Sequence, residues 1–89
     1  MSDAAVKNNE SANQFELGAA FLRYRLKPGE ITLVHTEVPP DLEGRGIGGA
    51  LARAALDYAR STGLQVVPLC PFVAAYLKRH PEYADLIRK

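Results

Sequence analysis

The residues that could do chemistry in this chain gather in two places. Gly44, Gly46, Gly48 and Gly49 crowd into the run Leu42-Glu43-Gly44-Arg45-Gly46-Ile47-Gly48-Gly49, which lies between a β-patterned stretch and an alanine-rich helical one. Glycines at such a junction leave backbone N–H groups unpaired at the positive end of a helix dipole, where anions bind, so a phosphate-bearing ligand is expected there. Arg45, inside the run, could add a charge-assisted bond to a phosphate oxygen. Glu37 stands near the end of the β-patterned stretch and could act as a general base, with His35 two positions earlier as a relay. Farther on, Cys70 sits between a strand-like segment and Pro71, where the dipole of a helix beginning at Pro71 would favour its thiolate.

Each of these residues also has a plainer reading. The glycines can make a tight turn for close helix packing, and Cys70 can be a small buried hydrophobe. Glu37 can be a solvated carboxylate at a sheet end, and His35 a hydrogen-bonded core histidine. Gly44, Gly46 and Gly49 formally spell G-x-G-x-x-G, yet Pro39 to Glu43 separate them from the strand and the next strand ends in Leu69-Cys70 rather than an acid. That context argues against a dinucleotide fold, and no Gly-Lys-Ser/Thr follows to make a Walker loop. His80, beside Pro81, reads as a helix C-cap, and no His/Cys spacing suggests zinc or another metal.

The elements that must position these residues follow from periodicity. Residues 1–12 are polar and read as a flexible lead-in, leaving 13–89 as one domain. Short strands are expected at 14–17 and 19–26 around a turn at Gly18, with Leu22, Tyr24 and Leu26 on one side of the second. Lys27-Pro28-Gly29-Glu30 suits a tight turn. The β-branched run 31–38 should return antiparallel, with Ile31, Leu33, His35 and Glu37 sharing a face. Pro39 and Pro40 stop that ladder. A helix over 47–61 should turn Ile47, Leu51, Ala54, Ala55, Tyr58 and Ala59 inward and end at Thr62-Gly63. A strand at 64–69, parallel to 31–38 by the right-handed crossover rule, leads to a helix from Pro71 to Arg79 and a last short helix over 81–87. The order, antiparallel strands, helix, parallel strand and C-terminal helices, makes a mixed-sheet α+β domain.

Composition limits the rest. Of the 89 residues, 47% are hydrophobic and the net charge is +1, so no general attraction to nucleic acid or to an anionic membrane is expected. Arg53 and Arg60 on the helix are balanced by Asp57, which argues against nucleic-acid binding. A single cysteine, no membrane-length apolar run and no signal-peptide pattern point to a cytoplasmic protein, working as a monomer or weak homodimer.

Glu43-Gly44-Arg45-Gly46-Ile47-Gly48, opening a helix after a β-run, resembles the pyrophosphate-binding motif of the GNAT superfamily of acetyl-CoA-dependent N-acetyltransferases, written Arg/Gln-x-x-Gly-x-Gly/Ala. Together with His35-Thr36-Glu37-Val38-Pro39, Leu69-Cys70-Pro71-Phe72, Tyr76 and His80-Pro81-Glu82-Tyr83, it is similar to a small single-domain branch of that superfamily, over residues 14–88. The resemblance implies a minimal GNAT-like sheet, acetyl-CoA as the acyl donor and an amine of unknown identity as acceptor. It implies cofactor contacts at Thr36, Val38, Glu43, Gly44, Arg45, Gly46, Ile47, Gly48, Gly49, Pro71 and Phe72, with the pantetheine arm between splayed parallel strands and backbone N–H groups near Val38 polarising the thioester carbonyl. Among catalytic residues, Glu37 would take the proton of the attacking amine. Tyr76 matches a helix tyrosine that protonates the departing thiolate in many members, with one residue fewer between strand and tyrosine. Cys70 would be an acetyl acceptor or a neighbour of the thioester. Glu43 departs from the motif's Arg or Gln and is expected to face solvent, because a carboxylate turned inward would repel pyrophosphate. A non-catalytic acyl-CoA-binding or protein-interaction module is the alternative reading.

Overall fold

A computed structural model describes residues 6–88, and its sheet follows the order of the sequence. Strands β1 (Lys7–Asn9), β2 (Gln14–Leu17), β3 (Ala20–Lys27), β4 (Glu30–Glu37) and β5 (Gln65–Pro68) lie side by side in that order. The first four are joined antiparallel by short turns, at Gly18 and Gly29 with left-handed glycines, φ 60° and 74°. Helix α1 (Ile47–Thr62) crosses from β4 to β5, which pair in parallel, and α2 (Pro71–Arg79) follows β5 directly. The expected mixed α+β sheet is the observed one.

Helix α1 closes the core over one face of the sheet. Leu51, Ala55, Leu56 and Ala59 are fully buried and cluster with Leu22, Tyr24, Ile31, Leu33 and Val66 of the strands. The buried set is wider than a single stripe, because Ala52 and Leu56 are covered while Ala54 and Tyr58 are only partly so. The helix is packed by the sheet on one side and by α2 and a C-terminal 3-10 helix (Pro81–Leu86) on another. Gly63, left-handed at φ 72°, ends it as a C-cap.

Several expectations need correction. The lead-in reading of residues 1–12 fails from Lys7 onward: Lys7–Asn9 pairs with β2, and the Tyr24 hydroxyl donates a 2.7 Å hydrogen bond to Asn8 Oδ1. Residues 1–5 of that call lie outside the described residues. The last short helix, expected over 81–87, is a 3-10 helix over Pro81–Leu86, and Ile87 leaves it to bridge Val66 in parallel. Leu26, expected on the same side of β3 as the buried Leu22 and Tyr24, is 48% exposed near the strand's end.

The largest correction concerns β4. Tyr24 pairs with Leu33 but Arg23 pairs with His35, so Val34 is an extra residue opposite the β3 backbone. Such a bulge reverses the phase of the side chains beyond it. Thr36, opposite buried Leu22, therefore continues the Ile31–Leu33 face, while His35 and Glu37 turn to the open face with side chains each 56% exposed.

Candidate functional site

Two local devices shape the site, and both follow from the chain around β4. The β4–β5 ladder ends at Leu33 and Pro68, and the amides of Leu69 and Cys70 both donate to the Leu33 carbonyl, at 3.1 and 3.0 Å. Beyond that point residues 34–37 continue β4 and, among the described residues, pair with β3 alone, so the sheet opens between the end of β4 and the start of α2.

The glycine turn is the second device. After Pro39 and Pro40 end the strand, a 3-10 turn (Pro40–Leu42) uses the Leu42 and Glu43 amides on the Pro39 and Pro40 carbonyls. Gly44 and Gly46 then adopt left-handed backbone at φ 83° and 73°, which a residue with a Cβ avoids, and Gly46 becomes the N-cap of α1. No side chain caps the helix. Its first i to i−4 bond is from Ala50 to Gly46, so the amides of Ile47, Gly48 and Gly49 lie ahead of the helical ladder.

These devices open into one groove of about 640 Å³. Thr36, Glu37 and Val38 form its strand wall. Glu43, Gly44 and residues 46–49 form the wall of the turn, and Phe72, Tyr76 and Arg79 of α2 face them. The helices approach closely because the turn lacks side chains: a Cβ on Gly48 would stand 2.7 Å from Phe72 Cζ, and one on Gly49 3.7 Å from Tyr76 Cε2. Most of the expected site residues thus meet on one surface. Glu43 is exposed at its rim. Pro71, the first residue of α2, is exposed and does not line the groove, and Arg45 lines a separate recess instead. Leu42 and Arg79 line the groove without having been singled out. For Arg79 a signal existed, since Phe72, Tyr76 and Arg79 are spaced to share one helix face.

Cys70 lies beneath this surface, 4% exposed, as the N-cap of α2. Its Sγ is 3.4 Å from Thr36 Oγ1. Burial pushes the thiol up, but the Thr36 hydroxyl and the amides of Val73 and Phe72 favour the thiolate more strongly, and the result lies below the ordinary thiol value. Glu37 and His35 form a pair on the open face, with His35 Nε2 2.9 Å from Glu37 Oε1. Tyr76 is mostly buried and stacks on His80 at 4.0 Å between ring centroids, which gives the C-cap histidine a fixed place. Among the described residues, no helix is long and apolar enough to cross a membrane.

A family model described as GCN5-related N-acetyl-transferase matches residues 11–86. The chain belongs to that family. The fold agrees: the solution structure of a GCN5-like protein from Staphylococcus aureus superposes with a TM-score of 0.76 at 30% identity, covering 99% of this chain and 91% of that one. "Protein NATD1" of Gallus gallus and of Mus musculus is 41% identical over 51 residues, 57% of this chain and 46% of theirs. Homo sapiens "Protein NATD1" is likewise 41% identical over 51 residues, 57% of this chain and 45% of its own length. The chain spans about half the length of the curated relatives it matches. For this GCN5-related chain, then, the mixed sheet is that of its family.

Proposed function

We propose that the chain binds acetyl-CoA in the groove and transfers the acetyl group to an amine. One observation carries the reading: the uncapped start of α1 and the opening between β4 and α2 belong to the same groove. Amides at the positive end of a helix suit a pyrophosphate, and a groove of about 640 Å³ falls within the range of about 300–1,000 Å³ common for small-ligand sites. The amides of Ile47, Gly48 and Gly49 would hold the pyrophosphate. Phe72 and Ile47 would flank the arm, and Thr36 and Val38 the thioester end.

When bound, acetyl-CoA supplies an acyl group activated for attack by an amine. Glu37, on the groove wall and open to solvent, would accept the amine proton directly or through water, and His35 could pass it outward. Tyr76, on the facing helix, would return a proton to the departing thiolate. Direct transfer is favoured over an acetyl-Cys70 intermediate because Cys70 is buried behind Thr36. Calorimetric titration with acetyl-CoA and CoA is expected to show binding, followed by CoA release when a reactive amine is added. Absence of binding at millimolar ligand removes the reading.

A second reading, a non-catalytic acyl-CoA-binding module, is favoured by one feature. His35 and Glu37 lie on a sheet face where their side chains are each 56% exposed, so the acceptor side is open. Tight binding of acetyl-CoA with no turnover on a panel of small amines and lysine peptides would select it.

A further inference from the structure

We propose that a second recess beside the groove holds the 3′-phosphate on the ribose of CoA, so that the chain distinguishes CoA from its 3′-dephospho form. This rests on the groove reading above.

The recess, about 300 Å³, shares Gly46, Gly49 and Tyr76 with the groove, so the two cavities flank the same glycine turn. Its remaining wall is Ala50 with two arginines, Arg45 and Arg53, and the imidazole of His80. The groove, by contrast, carries Glu37 and Glu43 with Arg79. Arg45 is the telling residue. It sits in the middle of the glycine run, yet it lines the recess and not the groove.

The chemistry of the ligand requires two neighbouring anion sites. The ribose of CoA bears the pyrophosphate at its 5′ carbon and a phosphate monoester at its 3′ carbon, a few bonds apart. The monoester carries about −1.5 to −2 charge at neutral pH and pairs well with guanidinium groups. Carboxylates already lie near these side chains: Asp57 Oδ2 is 3.8 Å from Arg53 Nε, and Glu82 Oε2 is 3.4 Å from His80 Nδ1. Both pairs are long and solvent-exposed, a class of contact worth little, and an arginine presents five donors in a fork. The ring of Tyr76, stacked on His80, keeps the imidazole at the edge of the recess.

The test is calorimetric titration of the full chain with CoA and with 3′-dephospho-CoA at equal ionic strength. The dephospho form should bind at least about tenfold more weakly, as expected for loss of one or more charged hydrogen bonds. In the double variant Arg45→Gln/Arg53→Gln, both at exposed positions, that discrimination should fall to about unity with the melting temperature unchanged. Equal affinity of the unaltered chain for both ligands overturns the assignment and leaves the groove reading standing. A double variant that loses affinity for both ligands by the same factor also overturns it. No binding of either ligand overturns the groove reading and this assignment together.

Discussion

Thr36 Oγ1 and Cys70 Sγ lie 3.4 Å apart, and this contact joins β4 to the start of α2 where the parallel ladder has just ended. The Val34 bulge creates it by bringing Thr36 onto the core side of the strand. Because the hydroxyl is one of the groups that favours the Cys70 thiolate, Thr36→Val should raise the thiol's midpoint in a titration of thiolate absorbance at 240 nm. The unaltered chain's thiol should titrate below its ordinary value, because the hydrogen bonds to it outweigh its burial. A midpoint that does not move would mean the backbone groups of Val73, Phe72 and Thr36 set the thiolate without the hydroxyl. Cys70→Ala adds a second arm: full turnover in that variant excludes a covalent acetyl carrier.

Glu37 borders the groove from the solvent side of the sheet, the side open to an acceptor under the proposed reading. If it accepts the amine proton, Glu37→Gln should lower kcat/KM by about 10²- to 10⁴-fold. Affinity for CoA should not weaken, since removing a negative charge beside an anionic ligand cannot cost attraction. Steady-state kinetics beside calorimetry separates the two effects, and unchanged turnover would remove Glu37 from the proton path.

Gly48 and Phe72 set the width of the groove. Gly48 is helical, so alanine there would ordinarily gain about 0.8–1 kcal/mol of helix propensity. Its Cβ, however, would stand 2.7 Å from Phe72 Cζ, and the ring, 38% exposed, can yield only by swinging. Overpacking of this kind costs about 1–3 kcal/mol, which offsets that gain, so Gly48→Ala should change stability little; the displaced ring, which lines the groove, should weaken CoA binding by roughly ten- to a hundredfold. In a Phe72→Ala background the same substitution should become stabilising. Strictly additive effects across the double-mutant cycle would show that the two positions do not touch.

Much of this arrangement was legible in the sequence, for identifiable reasons. Pro39, Pro40 and the glycines mark the strand-to-helix junction through backbone chemistry alone, and apolar spacing marks α1 and α2. The bulge left no such mark: Ile31 to Glu37 reads as an uninterrupted alternation, and only pairing with β3 shows that Val34 is the extra residue. The faces of His35 and Glu37 were therefore inverted. Strand β1 was missed because Lys7-Asn8-Asn9 has no apolar alternation; its place depends on β2 and on the Tyr24 hydroxyl, both distant in sequence. Arg45 shows a third limit. Its position in the motif suggested the pyrophosphate, whereas its side chain lines the neighbouring recess.

The C-terminal 3-10 helix is fastened to α1 by a pair that reports on pH. Tyr83 is buried and its hydroxyl donates a 2.8 Å hydrogen bond to Asp57 Oδ1; burial first, then that bond and the carboxylate's charge, push the phenol up to about 12. Arg60, paired with Asp85 at 3.0 Å, secures the same helix. A phenol that holds its proton more tightly when folded stabilises the fold fully below the ordinary tyrosine value of about 10, and loses that contribution as pH rises toward about 12. Absorbance at 295 nm should therefore show one tyrosine ionising near about 12, and Asp57→Asn should bring that step down. Tyr83→Phe should abolish the step and flatten the fall in unfolding free energy across the same interval. If instead every tyrosine titrates at the ordinary value, the helix is not held to α1 through Asp57, and the wall of α2 beside the groove loses one of its supports.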